Sequence, residues 1–99
     1  MSYHEFQSSG VRLGILRILA RRTMYTANEY SLNDELQGNY GHHLGKDRLH
    51  SELAWLEEQG LVIVQQPRAG WLITLTSRGS DVAAGRACTP GVAAPQPGA

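Results

Sequence analysis

Seven side chains suited to polar recognition fall in two short stretches of this 99-residue sequence. His43, Lys46, Asp47, Arg48, His50 and Ser51 lie within nine residues of one another, and Arg68 stands in the segment Pro67-Arg68-Ala69-Gly70. Lysine and arginine make charge-assisted hydrogen bonds to phosphate. Arginine, aspartate, serine and histidine can also donate to or accept from base edges. The histidines would add a share that grows as pH falls through neutrality. No nucleophile, base and orienting group are spaced for catalysis, and neither G-x-G-x-x-G nor G-x-x-x-x-G-K occurs. The chemistry on offer is recognition without an enzyme's machinery and without a cofactor. His43, Asp47 and His50 fall at i, i+4, i+7, a spacing that one helix face could offer to zinc. His43 precedes the expected helix, however, and no cysteine or further carboxylate completes the set, so no metal is expected.

The elements that must position these groups are legible around them. The run KDRLHSELAWLEEQG, residues 46–60, reads as a helix capped by Gly45 and stopped at Gly60 in the left-handed position. At about 100° per residue, Leu49, Leu53 and Leu56 share one face, while Asp47, Ser51, Ala54 and Glu58 lie opposite. The basic and polar groups occupy the first half, the half that meets a DNA groove in helix-turn-helix proteins, and Glu57 and Glu58 occupy the second. Two apolar, β-branched strands, 61–66 and 71–75, follow at once around a turn that Pro67 and Gly70 suit. Helix, glycine stop and hairpin form the outline of the recognition helix and wing of a winged helix-turn-helix. The fold class expected is mainly α with a small β-hairpin (α+β).

Upstream, Ser2 and Glu5 have the spacing of a capping box, and a first helix is expected over 3–22, weakened at Ser8-Ser9-Gly10. Leu13, Leu16 and Ala20 form its stripe, widened by Ile15, Ile18 and Leu19. Residues 24–27 read as a linker or a very short strand. Asn28 caps a second helix with Leu32, Leu36 and Tyr40 on one face, ended by Gly38 and Gly41. Thr76 caps a fourth, through about Arg86. Trp55 is expected to extend the core against the first helix or the wing, and Trp71 to pack on the hairpin. Arg17, Arg21 and Arg22 are expected to be solvated or paired with the acids of the second helix.

Length and composition suit one domain, residues 1–87, followed by a disordered Pro/Gly/Ala-rich tail, 88–99. Net charge is zero but segregated: +3 over 1–22, −3 over 23–41, +1 over 42–51, −3 over 52–60 and +2 beyond. That permits a local basic face without requiring one. No run is long and apolar enough to cross a bilayer, residues 1–7 lack a secretory layout, and the lone Cys88 excludes a disulfide framework. A cytoplasmic location in a bacterial host cell is expected, with the thiol free.

LAWLEEQGLV at 53–62, the opening MSYHEFQ, NEYSLNDEL before GHHLGKDRL, and LTSRGSDVAAGR resemble one group over nearly the whole chain. This is the roughly hundred-residue winged-helix family of Mu-like transposable bacteriophages and prophages, whose members are often labelled as transcriptional regulators. The resemblance implies a winged-helix fold and a phage origin. The chain departs from the family pattern where His43 and His50 stand in place of arginines, where Gly45 replaces a capping serine, and where the tail lacks basic residues. The expectation is a DNA-binding protein, a homodimer on double-stranded DNA, acting as a transcriptional regulator or DNA-associated accessory factor. Lys46, Arg48, His50 and Ser51 would enter or line the major groove, with His43 and Asp47 beside them and Arg68 on the backbone or minor groove. The alternative is an adaptor that contacts a phage or host protein and no DNA.

Overall fold

A computed structural model describes residues 3–96. Ser2, and with it the proposed capping box, lies outside the described residues. Among them the chain forms α1 (Tyr3–Ala20), a 3-10 turn (Thr23–Tyr25), β1 (Thr26–Asn28), α2 (Glu29–Tyr40), α3 (Lys46–Glu58), β2 (Val62–Gln65), β3 (Leu72–Leu75) and α4 (Ser77–Ala83). The three strands make one antiparallel sheet in the order β1-β3-β2. This is the winged-helix arrangement.

The helix boundaries follow local chemistry. Asn28 accepts a hydrogen bond from the Ser31 amide at the start of α2, and Thr76 accepts from Gly79 at the start of α4. Gly41, with φ 69°, and Gly60, with φ 75°, end α2 and α3 in the left-handed conformation. The first helix runs unbroken through Ser8-Ser9-Gly10. The Ser9 hydroxyl bonds back to the Phe6 carbonyl, 2.9 Å away. Both serines are buried beneath the chain packed over them. The short segment before α2 is a true strand, because Thr26, Ala27 and Asn28 pair with Thr74, Ile73 and Leu72. The 3-10 turn that delivers it holds two non-glycine residues at positive φ, Met24 and Tyr25.

One core joins all four helices to the inner sheet face: Val11, Ile15, Leu16, Ile18 and Leu19 from α1, Leu32 and Leu36 from α2, Leu49, Leu53 and Leu56 from α3, Val82 and Ala83 from α4, with Ile73 and Leu75 from β3. On α1 the buried sector centres on Ile15 and Leu19, while Leu13 and Ala20 are half-buried. Of the stripe expected along Leu13, Leu16 and Ala20 only Leu16 is fully buried, because α1 is contacted on more than one side: Arg12 meets Glu52 of α3, Gly14 faces Leu36 and Tyr40 of α2, and Ala20 lies beside Ser80 and Ala83 of α4. The tightest approach is at Gly79, where a Cβ would stand 2.1 Å from the Leu61 carbonyl oxygen. Only glycine lets α4 lie against the strand connection there.

The expected boundary at residue 87 does not hold for the described part of the tail. Ala93 donates to the Ser9 carbonyl at 3.1 Å, the Gly91 carbonyl accepts from Arg12 at 3.0 Å, and Thr89 is buried. Val92 packs against the core. The segment 89–96 forms no helix or strand and instead lies along α1 through these contacts.

Candidate nucleic-acid interface

The exposed end of α3 and the hairpin define the site. Gly45 supplies no side-chain cap, so the start of α3 receives no side-chain hydrogen bond from its N-cap residue. Lys46, Asp47 and Ser51 are exposed on α3, and His43 is exposed in the turn before it. Arg68 is exposed at the hairpin turn, which the Gly70 amide closes onto the Pro67 carbonyl at 3.1 Å. These five sequence-predicted residues are open to a partner.

Arg48 and His50 are not. The Arg48 guanidinium turns toward α1, donating to Glu52 Oε2 at 3.3 Å and to the Ser8 hydroxyl at 3.0 Å. Glu52 is 4% exposed and also accepts from Arg12 at 2.8 Å. A carboxylate buried that deeply needs charged partners, and Arg48 is one turn away on the same helix. His50 turns the other way. Its Nε2 lies 2.7 Å from Glu29 Oε1, and its ring stacks on Trp71 with centroids 3.7 Å apart and planes 6° from parallel. The groove-lining role expected of these two residues gives way to internal contacts, because both flank the core stripe rather than oppose it.

The residue that sequence reasoning missed is Glu29. It reads as an ordinary first-turn acid of α2, yet it is 3% exposed. Its Oε2 accepts the Trp71 amide at 2.6 Å, and its own amide donates to the Trp71 carbonyl at 2.9 Å. Burial pushes its carboxyl up, but the Trp71 amide, the His50 ring and the Lys46 charge outweigh that and hold it below the usual carboxylate range. Nothing in the spacing of residues 29, 50 and 71 announces the contact, since it forms only when α2, α3 and β3 meet. Glu57 does a related service on the other strand, accepting the Val64 amide at 2.8 Å. That explains an acid near the C-terminus of α3, where the helix itself disfavours one.

Trp55 lies under Arg12, whose guanidinium carbon is 3.8 Å from the ring centroid, and against Gly91. It extends the core toward α1, as expected, and toward the tail. Arg21 and Arg22 meet Glu35 of α2, while Arg17 has no ion pair among the described residues. Arg17, Arg21 and Arg86 line a groove between α1 and α4. On α1, Arg17 lies about half a turn from Ser8, which faces α3, so this groove looks away from α3. Among the described residues no three His, Cys, Asp or Glu side chains gather as a metal-binding group, and no helix is long and apolar enough to cross a membrane.

No family model matches the sequence. The gp26 protein of Escherichia phage Mu is 48% identical over 71 residues, covering 72% of this chain and 73% of the relative. The chain belongs to the Mu gp26 family. A protein of Haemophilus influenzae is also similar to this gp26-family chain, 38% identical over 79 residues, 79% of this chain and 76% of its own length. Among solved structures, the gp26-family chain is similar to RosR of H. salinarum, with a TM-score of 0.66 and 24% identity over 75% of this chain. It is similar also to the hsRosR-S4 complex, with a TM-score of 0.64 and 24% identity over 74% of this chain. It spans 66% and 62% of those two chains. That likeness carries the fold.

Proposed function

We propose that this gp26-family chain is a non-enzymatic winged-helix protein that binds double-stranded DNA, as a phage regulator or DNA-associated accessory factor in the bacterial cytoplasm. The observation that carries the reading is the joint presentation of the uncapped α3 N-terminus, with exposed Lys46 and Ser51, and the exposed Arg68 of the wing tip. Phosphate suits the uncapped amides and the positive end of the helix, Ser51 can reach a base edge, and Arg68 can touch a phosphate or the minor groove. His43 lies beside the helix start and adds charge when protonated. Asp47 can accept from cytosine but repels phosphate, so it selects rather than strengthens. Arg48 and His50 support the helix from behind. Two copies on one duplex would compensate for the small area that a single module buries, about 600–1,000 Å².

Mobility shift of a mixed-sequence duplex across a salt series tests the reading. Two free cations at the site predict that log K falls against log salt with a slope of about −2. Lys46→Ala or Arg68→Ala should each flatten the slope by about 0.9. Absence of a shift at about 50 mM salt, where counterion release is strong, would sink the reading.

A second reading, a protein adaptor, is favoured by one observation. The arginines cluster at the α1–α4 groove, whereas α3 carries Asp47 and Glu58 on its outward stripe. Absence of salt-sensitive duplex binding in the native chain, together with a phage or host partner that Lys46→Ala/Arg68→Ala still retains, would favour it.

A further inference from the structure

Wing and α3 follow one another in the chain with only residues 59–61 between them, and a hairpin this small has little of its own to set its angle. Only four residues of each strand are paired in the β2–β3 ladder. Arg68 stands three residues from Trp71, the last residue before β3. Trp71 is held in three ways. Its amide donates to Glu29 Oε2, its carbonyl accepts from the Glu29 amide, and its indole stacks on His50 of α3. The same Glu29 carboxylate meets His50 through its other oxygen. At Gly70, φ is 126° and a Cβ would stand 2.8 Å from the Tyr30 ring and 3.3 Å from the Glu29 carboxylate, so the chain is drawn tightly onto the start of α2. A carboxylate that is 3% exposed and has both oxygens engaged is held in a single geometry.

We propose that Glu29 is the positioning residue that couples the wing to α3: one buried carboxylate grips the Trp71 backbone and the His50 ring together and sets where Arg68 stands relative to Lys46 and Ser51. Glu29 touches no DNA; it acts through Trp71 and His50. The consequence for binding rests on the DNA reading above, whereas the coupling itself does not. With the clamp intact, Arg68 and the α3 N-terminus meet one duplex in fixed register, and ordering the wing costs nothing at the moment of binding. With it broken, the ladder and the Glu57–Val64 contact keep the hairpin formed, but its tip samples a range of positions.

Two measurements on the full chain test this. Amide hydrogen exchange reads the coupling without DNA. Glu29→Ala should raise exchange at Trp71 about tenfold or more while amides in the middle of α1, such as Ile15, stay protected. His50→Ala cuts only the link to α3, leaves the carboxylate on the Trp71 amide, and should raise it less. The second measurement is a double-substitution cycle on duplex affinity. Arg68→Ala should weaken binding several-fold in the native chain and less than about twofold in the Glu29→Ala or His50→Ala background. If Glu29→Ala proves unfolded by circular dichroism, the His50→Ala arm decides. Trp71 exchange unchanged in the folded variants, or an Arg68→Ala effect of equal size in both backgrounds, overturns the proposal. If the native chain binds no duplex at low salt, the DNA reading fails, and the exchange arm alone still supports or overturns the clamp.

Discussion

Arg12 carries three unlike contacts on one guanidinium: the buried Glu52 carboxylate, the Gly91 carbonyl and the face of Trp55. Arginine's planar fork allows all three at once, and no other cation would. Arg12→Ala leaves Glu52 with Arg48 alone, at 3.3 Å, and should cost about 2–3 kcal/mol in urea unfolding, with Arg12→Lys recovering only part. The titratable groups predict how stability depends on pH. Burial, helped by the nearby charge of Arg48, pushes His42 below the usual imidazole value. Glu29 is also held below its usual range. In both cases the unfolded chain binds the proton more readily. The stability from His42 is therefore complete above about pH 6.5 and is lost as pH falls through its folded value; that from Glu29 is complete above about pH 4.5 and is lost below it. Thermal midpoints recorded from pH 8 downward should fall in these two steps. A midpoint flat from about pH 7 to 5 would contradict the His42 assignment.

At the scale of elements, the segment 89–96 departs furthest from its composition. It buries Thr89, places Val92 on the core and hydrogen-bonds to α1 through Arg12 and Ser9. Truncation after Cys88 should lower stability by about 1–2 kcal/mol, roughly 5–10 °C in thermal midpoint for a domain this size. Gly91→Ala should reproduce much of that loss, because φ there is 94° and a Cβ would stand 2.7 Å from the Trp55 ring. An unchanged midpoint in both variants would return the segment to the disordered reading. The third strand shows the same limit on sequence reading. Thr26, Ala27 and Asn28 carry no alternation long enough to announce a strand, and only the free edge of β3 recruits them. The helices were legible because their signals are local: a capping Asn28, a capping Thr76, a glycine at 60 and leucines one turn apart.

For the whole molecule, zero net charge conceals an uneven surface. Ion pairs absorb Arg12, Arg22, Arg48 and Arg86, while Asp47 and Glu58 stay exposed on α3 beside Lys46. A duplex lying on α3 therefore feels acids as well as bases. Asp47→Asn with Glu58→Gln should tighten duplex binding about threefold or more at low salt without lowering the thermal midpoint, and the gain should fade as salt rises through about 0.5 M. An unchanged affinity would show that α3's outward stripe is not where DNA lies.

The residues from Lys46 to Leu75 by themselves determined a helix, a glycine stop and a hairpin, since propensity, capping and periodicity act over a few residues and leave their mark in sequence. Which of that run's charged side chains face outward was decided only by tertiary structure. Arg48 and His50 sit beside Lys46 and Ser51 in the sequence and look equally free. A buried carboxylate on each side of α3, Glu52 from the helix itself and Glu29 from α2, draws them inward. A charge taken out of water must find its counterpart, and that counterpart is set by how the helices pack. The shape of the site was therefore readable in the sequence, but its electrostatics emerged only once the chain had folded.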